Sequence, residues 1–236
     1  MQIKRNGAIF LQQQNGQIFN ERGVLMSSIA PNSGLILPDV NDEIHQTILD
    51  LAINFQKIDN VSDIYVNDAP TSGDWAKNRR VYFNNPETKG YVGMINLRAG
   101  KAAPKWSSLR QYSVGDKVVP TTDNGHWYEC IQSGYSAPTE PNWLVAAQTI
   151  TEDTRGKTTW QPSKYYDIHD IVVPSIPNDR FYVCVTAGTS GTSEPTWSTT
   201  DGVSTVDGQV VWLTYRIVKW RESGTSAYFR PFGKID

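Results

Sequence analysis

The stretch Trp106-Ser-Ser-Leu-Arg-Gln-Tyr112-Ser-Val-Gly-Asp116-Lys-Val118-Val119-Pro120 decides how this chain is read. It returns 54 residues later as Trp160-Gln-Pro-Ser-Lys-Tyr-Tyr166-Asp-Ile-His-Asp170-Ile-Val172-Val173-Pro174. The register then holds, because Tyr128, Cys130, Gly134, Ser136, Glu140, Pro141 and Trp143 come back as Tyr182, Cys184, Gly188, Ser190, Glu194, Pro195 and Trp197. Gly156-Lys-Thr-Thr-Trp160 also returns as Gly208-Gln-Val-Val-Trp212, at an offset of 52. This reading sets two tandem modules, 106–159 and 160–213, with Trp160 closing the first and opening the second. Repeats of this size are small supersecondary units that rely on their neighbours, an architecture commoner in binding and structural proteins than in enzymes.

A unit of about fifty residues buries little apolar surface, so its stability must come from large side chains or from association. The chain's 8 Trp and 11 Tyr supply such side chains. The net charge of −2, without a basic patch, argues against nucleic acid as a partner. No run is long and apolar enough to span a bilayer, and no basic start, apolar run and small-residue cleavage site combine near the N-terminus. The expectation is a chain that is neither membrane-bound nor Sec-exported. Cys130 and Cys184 fall at equivalent repeat positions inside strand patterns, which predicts two separate buried thiols in a reducing compartment.

Upstream, Ile9-Phe10-Leu11 and Gln17-Ile18-Phe19 flank Asn15-Gly16, a dipeptide that favours a tight hairpin turn, so 1–38 reads as an attachment segment with a hairpin. Ile44, Ile48, Leu51, Phe55 and Ile58 then follow one another at steps of 4, 3, 4 and 3, with Leu49 and Ile53 beside them. That heptad spacing predicts a coiled-coil-like helix over 39–60, started near Pro38, Asp39 or Asn41, about 18 residues or ~27 Å long. Isoleucine at both core positions favours a homotrimer held through these five residues. Beyond 63 the pattern is all strand and turn. The fold class is therefore mainly β, with a hairpin and a short trimerising helix followed by tandem small antiparallel modules.

The repeat order is Trp, Tyr, an Asp before a short Val strand, Tyr-x-Cys, Glu-Pro-x-Trp and a last Trp, with Gly115-Asp116 in the first copy. It resembles the small carbohydrate-binding modules of chitinases, which implies compact β units with exposed aromatics. A second resemblance covers Ala69-Pro70-Thr71-Ser72-Gly73-Asp74-Trp75, Val81-Tyr82-Phe83-Asn84-Asn85-Pro86, Gly90-Tyr91-Val92-Gly93, Ala99-Gly100 and Tyr228-Phe229-Arg230-Pro231-Phe232-Gly233. These look like the short β-modules near the ends of bacteriophage tail-fibre, tail-spike and head-fibre proteins. Asn78-Arg79-Arg80 stands where that family has Gly-Asp. The closing Pro-Phe-Gly element arrives late, as though both repeats were inserted in a module of 61–105 completed by 214–236.

Catalysis needs a constellation, and the sequence offers none. His45, His126 and His169 lie on different elements, and no Gly-x-Ser-x-Gly elbow, phosphate-binding loop or close-set metal ligands are present. No catalytic residue, metal or cofactor is assigned. Asp116 and Asp170 read as turn residues and Trp106, Trp160 and Trp212 as packing. The glycan-binding candidates are Trp143 and Trp197, with Trp127, Glu140 and Glu194 beside them, because indole faces stack on sugar rings and carboxylates accept hydroxyl hydrogen bonds. The resemblances imply a non-enzymatic virion fibre on head or tail, assembled in the host cytoplasm. It would contact other virion proteins through its N-terminal segment and host-surface glycan through its modules. A capsid decoration or adaptor protein and a secreted polysaccharide-binding protein are the alternatives.

Overall fold

The structure is a computed structural model that describes residues 2–5, 8–14, 17–19, 25–30, 33–38 and 42–236, with side chains from 28 onward except 60 and 61. The fold is mainly β with a single helix among these residues. It divides into a unit at 1–64 and a unit at 65–236.

In the first unit, strands Gln2–Arg5, Ala8–Gln14, Gln17–Phe19, Leu25–Ile29 and Ile36–Leu37 form a sequential antiparallel sheet. Gln14 pairs with Gln17, so Ala8–Gln14 and Gln17–Phe19 pair as a hairpin, while Asn15-Gly16, expected as its turn, lies outside the described residues. The helix α1 runs Ile44–Val61, 18 residues. It starts after Glu43, which is extended and makes no side-chain cap; the expected start residues Asp39 and Asn41 lie outside the described residues. Ser62 closes the other end, its N–H donating to Ile58 and Asp59 carbonyls.

What α1 buries is a polar flank. Asn54, 8% exposed, accepts the Ile36 N–H at 2.8 Å and donates to the Ile36 carbonyl at 2.6 Å, so its amide completes the sheet edge as another strand would. Lys57 donates to the Gly34 carbonyl at 2.5 Å, and buried Asp50 accepts from Gln46 at 2.7 Å. At about 100° per residue this flank lies roughly a third of a turn from the heptad seam. The seam stays bare, with Ile44 82%, Phe55 66% and Ile48 58% exposed.

In the second unit, one strand plan occurs three times, and the copies are nested. The inner copy uses Thr158–Thr159, Tyr165–Tyr166, Ile171–Val173, Arg180–Thr186, Gly188–Thr189, Ser204–Asp207 and Val210–Arg216. The middle copy uses Gln111–Tyr112, Lys117–Val118, His126–Gln132, Gly134–Tyr135, Ile150–Glu152 and Lys219–Thr225. The outer copy uses Tyr65–Val66, Asp74–Trp75, Arg80–Phe83, Tyr91–Asn96, Gly100–Lys101 and Phe229–Lys234.

Equivalent registers establish the correspondence. Cys184 pairs with Trp212, Cys130 with Trp220 and Asn96 with Phe229. Val172 pairs with Tyr182, Val118 with Tyr128 and Val81 with Met94. The small strand at each glycine pairs with an aromatic, Tyr166 with Gly188, Tyr112 with Gly134 and Trp75 with Gly100. That aromatic meets the closing strand edge-on, at 4.9 Å in Tyr166–Trp212, 4.8 Å in Tyr112–Trp220 and 5.2 Å in Trp75–Phe229. His169, Gly115 and Asn78 share a left-handed turn (φ 73°, 92° and 67°), each donating its N–H to the carbonyl of Cys184, Cys130 or Asn96. Asn78-Arg79 therefore occupies the Gly-Asp position, with Asn tolerating the φ that Gly usually supplies.

Two expectations need correction. The modules are not in tandem, because the strand that closes the middle copy is Lys219–Thr225 and not the segment before Trp160. Thr158–Thr159 instead leads the inner copy in parallel pairing, with Thr158 opposite Val172 and Thr159 opposite Val173. The antiparallel outer module adds the same short parallel pairing, Tyr65–Val66 running parallel to Arg80–Phe83. The physical reason is that Val218-Lys-Trp220 offers the closing position the same buried Val and Trp that Val210-Val-Trp212 offers the inner copy. The outer copy closes with Phe229–Lys234 on Tyr91–Asn96, so 218–225, within the segment assigned to it, belongs to the middle copy.

Each of the two homologous copies has its own core. Trp106, Tyr112, Val118, Tyr128, Cys130, Val218 and Trp220 fill the middle one. Trp160, Tyr166, Val172, Tyr182, Cys184, Val210 and Trp212 fill the inner one. A third cluster joins them, with Ile171, Phe181 and Val183 of the inner sheet against Ala137 and Ile217. The face carrying Phe181 and Val183 is thus buried as well as the face carrying Tyr182 and Cys184.

Candidate functional site

The repeated aromatic and carboxylate positions are built alike in both copies. Glu140 lies before Pro141 and accepts the Thr121 N–H at 2.8 Å, the Thr121 hydroxyl on its other oxygen, and the Trp143 indole N–H at 2.9 Å. Glu194 accepts the Ser175 N–H at 2.9 Å, the Ser175 hydroxyl at 2.5 Å and the Trp197 indole at 2.8 Å. Partial burial pushes the Glu194 carboxyl up, and the hydrogen bonds from Ser175 and Trp197 outweigh it, so the group titrates below the usual range. Both carboxylates staple a loop to the turn after the Val strand.

Trp143 and Trp197 are half-buried. Their rings lie tilted on Tyr128 and Tyr182 at centroid distances of 4.3 and 4.1 Å, and touch Trp220 and Trp212 beyond. One face of each indole and its N–H are therefore committed inside the molecule, leaving the outward part to solvent. Trp127 belongs to neither group. It sits on the opposite face of His126–Gln132 with the Lys101 ammonium 5.5 Å from its ring, and Lys101 also pairs with Asp74 at 2.9 Å. The five glycan candidates thus form two equivalent Glu-Trp clusters and one separate Trp.

The strongest polar feature was not read from the sequence. Asp153, fully buried, accepts the indole N–H of Trp106 at 2.7 Å and of Trp220 at 3.0 Å on one oxygen, and the Ala137 N–H at 3.1 Å on the other. Asp207 does the same with Trp160 at 2.7 Å, Trp212 at 3.0 Å and the Gly191 N–H at 2.8 Å. Each carboxylate clamps the opening Trp of its copy to the closing one. Burial pushes the Asp153 carboxyl up to about 6, against the lowering effect of the bonds from Trp106, Trp220 and Ala137. Asp153 and Asp207 stand at the same offset as the other repeat identities, as do Thr151 and Thr205, between the Glu-Pro-x-Trp element and the last Trp of the motif.

Several other titratable groups are bound into the fold. Asp116 and Asp170 accept backbone N–H groups of Ser113 and Asp167 at 2.8 and 2.9 Å, as turn residues do. Cys130 and Cys184 are free, buried thiols, and burial pushes Cys130 up to about 11. His126 lies 2.8 Å from Glu222, which also accepts N–H bonds from Gly224 and Gln148; these outweigh burial and hold Glu222 below its ordinary range. A shallow groove of about 200 Å³ lined by Pro104, Arg110, Tyr112, Asp116 and Val118 has the Arg110 guanidinium stacked on Tyr112. Among the described residues no helix is long and apolar enough to cross a membrane, and no three His, Cys, Asp or Glu gather as a metal site needs. Compared with known family models, curated proteins and solved structures, the chain matches none.

Proposed function

We propose that the protein is a non-enzymatic bacteriophage appendage, a trimeric fibre of head or tail. Its N-terminal unit joins three copies and attaches them to other virion proteins, and its β-modules face host-surface glycan. The observation that carries this reading is the bare seam of α1. Five large apolar residues at heptad spacing, 41% to 82% exposed, sit on a helix whose own sheet is bonded to a different flank. A lone amphipathic helix turns its apolar stripe toward its own sheet, whereas a bundle helix keeps it for its partners. Labelled electron microscopy on assembled particles, paired with binding of the trimer to host envelope polysaccharide, tests the reading.

The capsid decoration or adaptor reading draws on one further observation. Glu140, Glu194 and the indole N–H groups of Trp143 and Trp197 are all engaged internally, so the repeats carry fewer free sugar-binding groups than their motif implies. Particle labelling at a virion surface together with no adsorption of wild-type protein to host cells decides for that alternative.

A further inference from the structure

The inner copy replaces nothing more than a hairpin turn of the middle one. In the inner copy, Ser204–Asp207 and Val210–Arg216 are joined by Gly208-Gln209, with Asp207 paired to Val210 and Gly208 at φ 60°. In the middle copy the equivalent strands are Ile150–Glu152 and Lys219–Thr225, with Thr151 opposite Trp220 as Thr205 is opposite Trp212. Asp153 and Val218 hold the places of Asp207 and Val210, and everything from 154 to 217 lies between them. The Asp153 N–H still donates to the Val218 carbonyl at 3.1 Å. The two ends of the inserted segment are thus held as close together as a two-residue turn would hold them.

The cores respect the same division. No residue from 154 to 217 enters the middle core, and the inner core lies wholly within 160–212. Each copy has its own aspartate joining its own opening and closing Trp. Contact between host and guest runs through Ile171, Phe181, Val183 and Ile217 of the guest on Ala137 of the host, the Tyr135–Tyr215 ring pair at 4.7 Å, and surface ion pairs of Lys219 with Asp179 and Lys157 with Glu152. Inserted domains are tolerated where their ends meet on a surface turn and few contacts cross the boundary.

We infer that residues 154–217 are a self-sufficient module grafted into a turn of the middle copy, and that this turn is an acceptor position at which the arm gains, loses or exchanges modules. The host reaches its fold with or without a guest, so what the arm presents changes without rebuilding what attaches it. The inference stands whatever the modules bind.

The test uses two variants of the full chain, followed through the indole N–H resonances of an ¹⁵N-labelled sample. In the first, residues 154–217 are replaced by Gly-Gln, joining Asp153 to Val218. Trp106 and Trp220 should keep the chemical shifts they have in the intact chain, and light scattering should give the intact chain's subunit number. In the second, Asp207→Ala removes the inner clamp alone. In a urea series Trp160 and Trp212 should be lost first, while Trp106 and Trp220 melt at the intact chain's midpoint. Loss of the Trp106 and Trp220 resonances in the shortened chain, or joint melting of all four indoles in the Asp207→Ala chain, overturns the inference.

Discussion

Cys130 stands opposite Trp220, ninety residues further along the chain, and not opposite Trp160, thirty residues away. The middle copy is therefore closed by a strand that arrives only after the whole inner copy has been made. Trp220→Ala should strike the middle core and Trp160→Ala the inner one. Each should cost about 3–5 kcal/mol, as for other buried aromatics. Denaturation followed by the indole signals of the untouched copy checks the assignment, and a Trp160→Ala chain that loses its Trp106 clamp first contradicts it.

Asp153→Asn keeps the shape but not the valence. Three donors, two indoles and the Ala137 N–H, converge on a carboxylate, and an amide presents one of them with an N–H of its own. A buried donor left unmatched costs roughly 1–3 kcal/mol, so the urea midpoint should fall accordingly.

The same group gives the middle copy an unusual pH response. Its folded value, about 6, lies above the ordinary 3.8, so the folded state binds this proton more tightly than the unfolded one. Stability from this group is full below the unfolded value and is lost as pH rises through about 6. Lowering pH from 7 to 5 should thus gain about 1 kcal/mol, since each tenfold difference in proton affinity is worth about 1.4 kcal/mol. The gain ends at lower pH, where Glu222, Glu194, Asp123 and Glu152, all held below their ordinary values, begin to protonate. Urea melts at pH 5 and 7 should show the rise, and Asp153→Asn should abolish it.

Ile48→Asn places an amide at an inner position of the proposed bundle. Light scattering after size exclusion should give a trimer mass for the parent chain at micromolar concentration and smaller species for the variant. A monomer mass for the parent ends the trimer proposal.

Cys130 and Cys184 should resist thiol reagents in the native state, because burial disfavours the thiolate that reacts. Both should label fully in urea. Fast native labelling, or a Cys130–Cys184 crosslink in a mass spectrum, would contradict the structure.

Much of the core was legible because packing repeats with the sequence. Tyr112, Val118, Tyr128 and Cys130 and their counterparts recur at one offset, and all are buried. The heptad spacing gave the length of α1 for a similar reason, since a seam is a local pattern. Nesting was not legible. Gly156-Lys-Thr-Thr-Trp160 mimics the approach to Trp212, whereas the true partner, Trp220, lies beyond an insertion that resets every offset. The third copy was hidden more deeply, because the outer module keeps the strand plan with Asn96 for Cys130, Phe229 for Trp220 and Asn78-Arg79 for Gly115-Asp116. Backbone hydrogen bonds define that plan, and several side chains satisfy it equally well. Of the candidate site, the residue types and spacing of Glu140-Pro-x-Trp143 were visible, but not the Thr121 turn that claims the carboxylate.

The order in which the closing strands leave the ribosome follows from the nesting. The inner copy receives its last strand at Val210–Arg216, the middle at Lys219–Thr225 and the outer at Phe229–Lys234. Synthesis therefore completes the three modules from the inside outward, within a single short stretch of chain. A ribosome stalled before Val210 holds no finished module of the three, and until that point the aromatic faces of all of them wait unsealed, in need of protection from one another and from neighbouring chains.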